Sequence, residues 1–228
     1  MRKAMGGATC VAQRDARVLM MGRIIYLMGP SGAGKDTVLQ GLSRLLGSGG
    51  YLAPRLVTRD STAAGPESVS VSSQEFQRLE SAGKLAMAWR ANGLSYGFMC
   101  DINNRLVQGC DVLINGSRAY LPEAQLRYAD LVPVLLTVEP ELLRQRLHAR
   151  GRENDQQIQQ RLERNAQFVS LDAAKNAKPT VVIDNSGDVD HTVETLYAYL
   201  KNGRPPEALV AGRSATHDYS SQVCNYVY

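Results

Sequence analysis

The chain has 228 residues, of which 44% are hydrophobic and 21% charged, a composition typical of a folded protein with one substantial core. No apolar run approaches the ~20 residues of a membrane-spanning helix, and the formal net charge of +4 lacks the clustered positive charge of a dedicated nucleic-acid binder. Composition therefore argues against membrane and nucleic-acid partners and favours an anionic small molecule.

The amino-terminal segment, residues 1–22, carries charges at Arg14, Asp15 and Arg17 that interrupt any apolar signal-peptide core. We therefore expect a disordered leader without an export signal, followed by a single folded domain at 23–202. The 4 cysteines are scattered and form no C-x-x-C pair, which predicts reduced thiols and a cytoplasmic protein.

A strand, a glycine-rich turn and a helix open the predicted domain. Residues 23–28 form a nearly continuous apolar run, as in a parallel strand buried on both faces, and leucines recur at helical spacing up to Leu46. The turn between them matches G-x-x-x-x-G-K in the context that this motif requires, through Gly29, Pro30, Ser31, Gly32, Ala33, Gly34 and Lys35. Backbone N–H groups at a helix start, with the lysine ammonium, suit the phosphates of a nucleoside triphosphate, and Lys35 is predicted to be catalytic.

Asp36 and Thr37 follow the lysine and complete the predicted nucleotide-binding segment. Asp36 stands where this motif normally has a Ser or Thr that binds Mg²⁺. Two interpretations stay open: the acid only stabilises the helix start through the helix dipole, or it holds Mg²⁺ directly or through water as a hard oxygen ligand.

The middle third of the chain predicts a small strand-rich insert at about 58–100. A short strand at 55–58 leads into a Ser/Ala/Gly/Pro-rich loop. Ser72 and Glu75 have capping-box spacing, which predicts a helix starting near Ser73. Asn92-Gly93 lies between two apolar stretches and predicts a β-hairpin.

Strands and helices then alternate to the end of the domain. The pattern predicts strands at 111–115, 131–138 and 180–184, and helices after Pro122, from Pro140 and at 189–200. This alternation indicates an α/β fold of the P-loop NTPase type, with three layers and a mostly parallel central sheet. Residues 203–228 show no sustained period and are expected to form a flexible tail.

Several motifs of the chain resemble the guanylate kinase family of P-loop phosphotransferases. They are GPSGAGK, the VTR at 57–59, the Tyr96-Gly97 pair and the arginine-rich stretch at 144–154. That family reads guanine and its phosphate with an acidic residue and a tyrosine, and here Met87 and Ser68 stand at those places. GMP is therefore expected to bind poorly.

The combination of GPSG-x-GKD, TRD, ANGL-x-YG, NGSR and RGREN resembles the ribose 1,5-bisphosphate phosphokinases, bacterial enzymes of phosphonate breakdown. The resemblance implies transfer of the γ-phosphoryl group of ATP, with Mg²⁺, to the 1-phosphate of the sugar, which gives 5-phosphoribosyl 1-diphosphate. It leaves an acceptor set suited to phosphate and hydroxyl groups: Arg59, Tyr96, Ser117 and Arg118.

The same resemblance implies an arginine-rich lid at about 146–161. Arg150 and Arg152 are expected to be catalytic by closing over the transferring phosphoryl group, with Arg146 and Arg161 close by. The alternative for any one of these side chains is a solvated basic helix face.

Two other functions stay open at this point. One is a nucleoside monophosphate kinase acting on GMP, which Met87 and Ser68 argue against. The other is a non-catalytic guanylate-kinase-like module that binds a partner protein, which would have no use for Lys35. The sequence also leaves open whether the protein forms a homodimer.

Overall fold

The computed structural model describes residues 22–59, 67–151, 154–167 and 180–202 of the chain. The predicted leader and the predicted tail lie outside these residues, apart from Gly22, whose backbone N–H donates to Leu106 O at 2.8 Å. No helix in the described ranges has both the length and the apolar character needed to cross a membrane.

A five-stranded parallel sheet forms the centre of the fold. In chain order its strands are β1 (Ile24–Met28), β2 (Gly50–Leu52), β7 (Asp111–Asn115), β8 (Val132–Thr137) and β9 (Val181–Asp184). Their spatial order is β2-β7-β1-β8-β9, and Leu27 pairs with Asn115 on one side and with Val134 on the other. The parallel central sheet predicted from the alternation is confirmed.

Helices cover both faces of this sheet. Because side chains alternate along a strand, Ile25 and Leu27 enter one apolar cluster, whereas Ile24, Tyr26 and Met28 enter the other. The first cluster is covered by α1 (Lys35–Leu46), α5 (Pro140–Ala149), α6 (Asp155–Gln167) and α7 (Val189–Asn202). The second is covered by α3 (Asp101–Val107) and α4 (Leu121–Arg127). The three-layer architecture is therefore as predicted.

A four-stranded sheet forms the insert, in the order β4-β3-β6-β5. Its strands are β3 (Arg55–Val57), β4 (Ser68–Ser70), β5 (Leu85–Ala91) and β6 (Leu94–Met99). The sheet begins at Arg55, three residues before the boundary expected from the sequence. Both local predictions are confirmed: Ser72 Oγ accepts from Glu75 N at 3.0 Å at the start of α2 (Ser73–Ser81), and the hairpin turns at Asn92-Gly93.

Three short elements escape the sequence patterns. β2 follows directly on the glycines that end α1, β4 lies at the end of the Ser/Gly-rich loop, and α3 has only seven residues. A three-residue strand or a two-turn helix is too short to establish a hydrophobic period, so its position is set by tertiary packing.

Candidate active site

The phosphate loop between β1 and α1 is held in shape by its own lysine. Lys35 Nζ donates to the carbonyl oxygens of Gly29 and Pro30, at 2.9 and 2.8 Å. Gly34 has φ +84°, and a Cβ at this position would lie 2.8 Å from Asn185 Nδ2, so glycine is required on both counts. The predicted loop residues therefore form a turned backbone around one cation.

Asn185 supports this loop from the end of β9. Its Nδ2 donates to Ala33 O at 2.7 Å, and its side chain is buried. The sequence gives only a polar pair, Asp184-Asn185, after a strand, which is equally typical of a turn. Its role in the loop depends on the parallel order of the sheet, which places the carboxyl end of β9 near the same edge as the loop.

The two helices of the predicted lid pack against the loop. A Cβ at Gly32 would lie 3.0 Å from Leu143 and 3.1 Å from Leu147, both on α5. From α6, Arg161 Nη1 donates to Ser31 Oγ at 2.7 Å. The described part of the lid region is thus anchored at the nucleotide loop.

Lys35 lies in a strongly positive environment. Burial is the main cause that lowers the pKa of Lys35 to about 8; the charge of Asp36 opposes the shift, and the charges of Arg55, Arg118 and Arg150 contribute to it. These three arginines therefore lie close enough to the lysine to act on its charge. One carboxylate against four cations leaves a site suited to a polyanion.

Asp36 lies in the first turn of α1 and contacts the carboxyl end of β7. Asn115 Nδ2 donates to Asp36 Oδ1 at 2.6 Å, and Asn115 is 8% exposed. Asn115 Oδ1 is buried and has no hydrogen-bond partner within the described ranges. A carboxylate beside an unpartnered amide oxygen is a donor set that Mg²⁺ accepts.

A cation at this point would take few ligands from the protein. No three His, Cys, Asp or Glu residues cluster in the part of the chain that the structure describes. Mg²⁺ fits such a site because it normally keeps several waters and is bound through one or two carboxylates together with substrate phosphates.

The turn after β7 is shaped by Tyr26. The Tyr26 hydroxyl accepts from Ser117 N and donates to Ser117 O, each at 3.0 Å. A Cβ at Gly116 would overlap the Tyr26 ring, so the N-G-S-R turn needs its glycine there. Burial raises the pKa of Tyr26, which keeps the phenol protonated as a donor. Sequence reasoning treats Tyr26 as one apolar strand residue among others and misses this role.

A stack of planar groups lines the insert side of the site. Trp89 stacks on Tyr96 and on Tyr120, with ring centroids 5.5 Å apart in both pairs. The guanidinium of Arg55 lies 5.5 Å from the centre of the Tyr96 ring, on which it forms a cation–π contact. Sequence reasoning did not single out Arg55, although its charge acts on Lys35.

The other sequence-predicted residues differ in how closely they approach the loop. Arg118 is half-buried at the start of the 3₁₀ turn Arg118–Tyr120, and Arg150 is exposed at the end of α5; the charges of both act on Lys35. Arg59 is exposed, and its charge acts on Arg55. Arg152 lies outside the described residues.

The two positions aligned with base-reading groups have different surroundings. Met87 is 0% exposed within the second apolar cluster, so it presents no polar group to a ligand. Ser68 Oγ lies 3.5 Å from Arg55 Nη2.

Comparison with known proteins places this geometry in a family context. Residues 25–168 match a family model described as an AAA domain. A ribose 1,5-bisphosphate phosphokinase PhnN of Pseudomonas paraeruginosa is 50% identical over 186 residues, which is 81% of this chain and 98% of the relative. Proteins of the same name from Azotobacter vinelandii and Yersinia pestis are 47% and 43% identical, over 80% and 81% of this chain and 97% and 94% of their own length.

The fold also resembles a solved structure. A guanylate kinase from Anaplasma phagocytophilum superimposes with a TM-score of 0.59, covering 85% of this chain and 92% of that protein, at 20% identity. At this identity the likeness shows the fold alone.

Proposed function

The chain belongs to the ribose 1,5-bisphosphate phosphokinase family, and from this premise we propose that it transfers the γ-phosphoryl group of ATP to the 1-phosphate of ribose 1,5-bisphosphate. An oxygen of the 1-phosphate forms the new P–O bond while the bond between the γ-phosphorus and the β–γ bridging oxygen breaks. The products are ADP and 5-phosphoribosyl 1-diphosphate. The acceptor oxygen is already anionic, so catalysis depends on alignment and charge stabilisation and not on a general base.

The observation that carries this proposal is the charge around the phosphate loop. The charges of Arg55, Arg118 and Arg150 all act on Lys35, and the charge of Asp36 opposes them. Such a field suits a complex of two phosphorylated molecules, because the negative charge of the transferring group needs cations on both sides.

On the donor side, residues 29–37 hold the phosphates of ATP, with Lys35 on the β- and γ-phosphates. Asp36 holds Mg²⁺ directly or through water, and Asn115 orients Asp36. When bound, Mg²⁺ neutralises charge on the phosphates and orients them. Arg150 and Arg152, within the lid at about 146–161, close over the transferring group, and Arg161 ties the lid to Ser31.

On the acceptor side, Arg59, Tyr96, Ser117 and Arg118 contact the sugar phosphate. Tyr26 positions Ser117 through its two hydrogen bonds. Met87 offers nothing to a purine edge because it is entirely buried, which supports a sugar phosphate over GMP as acceptor. Residues 23–202 constitute the kinase domain, and the cytoplasm, where ATP is available, is the compartment that we propose.

A single assay tests this function. ADP release is measured with ribose 1,5-bisphosphate, with GMP and without acceptor, and formation of 5-phosphoribosyl 1-diphosphate is followed in parallel. We expect turnover with the sugar bisphosphate alone. Turnover with GMP and not with the sugar bisphosphate would show that GMP is the acceptor. No turnover with either would favour a binding module.

A further inference from the structure

Arg55 is a half-buried arginine that forms no ion pair with any described residue. Its Nη1 lies 3.5 Å from Asn115 O and its Nη2 lies 3.5 Å from Ser68 Oγ, both at the outer limit of hydrogen bonding. Its Nε is buried and has no hydrogen-bond partner among the residues that the structure describes. In the ranges that the structure describes, no carboxylate forms an ion pair with it.

Such an arrangement is unfavourable in the free protein. Arginine is rarely buried unless it is paired, because a guanidinium that leaves water loses its hydration and needs hydrogen-bond acceptors in return. Burial lowers the pKa of Arg55, and the nearby Asp36 charge opposes this effect without cancelling it. The missing acceptors would be supplied by an anion.

The guanidinium is held in a fixed orientation. It projects from β3 of the insert sheet and lies over the Tyr96 ring, which itself stacks on Trp89. With one face covered by Tyr96 and Nε buried, the two terminal groups Nη1 and Nη2, whose present contacts are long, are the donors available to a ligand. This pair matches two oxygens of a phosphate in a bidentate manner. A fixed arginine of this kind suits a phosphate that stays in place during the reaction.

We propose that Arg55 is a specificity-determining residue that binds the second phosphate of the acceptor, the 5-phosphate of ribose 1,5-bisphosphate, which is not itself phosphorylated. The inference rests on the proposed function and extends it, since it assigns the distinction between a sugar bisphosphate and a sugar monophosphate to one side chain. The 1-phosphate is then directed toward the phosphate loop, with Asn115 between the loop and Arg55.

The test compares two acceptors in three proteins. Arg55→Met removes the charge and roughly keeps the length of the side chain. The matched control is Arg78→Met, because Arg78 lies in the same insert, is exposed and forms an ion pair with Glu75 at 2.8 Å. The acceptors are ribose 1,5-bisphosphate and ribose 1-phosphate, which retains the reacting phosphate and lacks the second one.

We expect Arg55→Met to lower kcat/KM for the bisphosphate by about 10- to 100-fold, mainly through KM, as expected for the loss of a charge-assisted pair. Activity with ribose 1-phosphate should change by less than about threefold, within the scatter of such measurements, and Arg55→Lys should restore part of the preference. The control should behave like the parent protein. Equal losses on both acceptors, or an unchanged preference, would overturn the assignment.

Thermal unfolding provides a second readout. Removal of an uncompensated buried charge should leave the ligand-free Arg55→Met protein at least as stable as the parent. The upward shift of the midpoint that ribose 1,5-bisphosphate produces in the parent should be lost or much reduced. A lower midpoint in the free variant, with the ligand-induced shift retained, would mean that Arg55 is structural.

The two proposals fail in different ways. If the parent releases no ADP with ribose 1,5-bisphosphate, the proposed function is wrong and the role of Arg55 falls with it. If the parent is active and Arg55→Met keeps the parent's preference, only the role of Arg55 is wrong.

Discussion

An arginine lies at each end of strand β7, and the two differ in how well their hydrogen-bonding groups are paired. At the amino end, Arg23 donates to both oxygens of Asp111, with Nη2 2.7 Å from Oδ2, and its Nη1 donates to Leu200 O at 3.0 Å. The hydrogen bond to Asp111 raises the pKa of Arg23. At the carboxyl end and within the described residues, the only hydrogen bonds of the Arg55 side chain are the two at 3.5 Å, beside its contact with the Tyr96 ring, and Asn115 Oδ1 is unpartnered.

This difference in pairing indicates that the amino end of β7 serves stability and that its carboxyl end serves function. At the amino end, the hydrogen bonds of Arg23 join the start of β1 to β7 and α7. At the carboxyl end, polar atoms lack partners among the described residues, and we infer that ligands supply these partners at a cost to the stability of the free protein. Substitutions at the two ends should therefore change different measured quantities.

The largest effect is expected for Lys35→Ala at the carboxyl end. Loss of the ammonium should lower kcat by about 10³-fold or more, because a charge aimed at the transferring phosphoryl group is removed. The circular dichroism spectrum should remain that of the parent and the unfolding midpoint should change little, since the loss of the two hydrogen bonds to the loop is offset by removal of a cation that is buried at a cost. Unchanged turnover would remove the loop lysine from the mechanism.

At the amino end, Arg23→Met should act on stability instead. It leaves the carboxylate of Asp111, whose side chain is 13% exposed, without its cation. We expect the free energy of unfolding to fall by about 2 kcal/mol, below the range for fully buried pairs because Arg23 is 37% exposed. Chemical denaturation measures this, with Arg78→Met, an exposed pair, as the control that should change little. A loss of kcat in the folded variant would contradict the separation of the two ends.

Asp36→Ala tests the metal assignment with a smaller expected effect. If Asp36 holds Mg²⁺, the Mg²⁺ concentration for half-maximal rate should rise and kcat should fall about 10-fold, because a charged ligand is removed. The matched control is Asp190→Ala, which removes an acid from the first turn of α7. Equal, small effects of both substitutions would mean that Asp36 only stabilises its helix.

The smallest expected effect is the uptake of a fraction of a proton by Lys35 when ATP binds. With a pKa of about 8, Lys35 is about half protonated at pH 8 in the free protein, and a bound triphosphate favours the ammonium. Binding of ATP at pH 8 should therefore take up about half a proton, and less at pH 7. Calorimetry in buffers of different ionisation enthalpy measures the uptake, which the exposed Lys84→Ala control should retain. Proton release, or no change with pH, would contradict the burial of Lys35.

Much of the donor side follows from sequence because its determinants are local. The glycines, Lys35 and the flanking strand and helix are consecutive, and each residue type has a separate backbone or charge requirement. The Ser72 cap and the Asn92-Gly93 turn are predictable for the same reason.

The acceptor side is less predictable because its determinants are not local. Arg55 reads as an ordinary strand residue, and only the packing of β3 beside β6 shows that its guanidinium is buried on Tyr96. Asn185 and Tyr26 likewise act on segments 152 and 91 residues away, at Ala33 and Ser117. Neither residue has a neighbour in sequence that would reveal its partner.

The stacked rings of the insert have a practical consequence. Trp89 is the only tryptophan of the chain. It stacks on Tyr96, and the Tyr96 ring also contacts the guanidinium of Arg55. We expect neutralisation of that cation by a bound anion to alter the electric field across the indole. The intrinsic fluorescence of the unlabelled protein should then report occupancy of the acceptor pocket that we propose, without an added dye and on the timescale of rapid mixing.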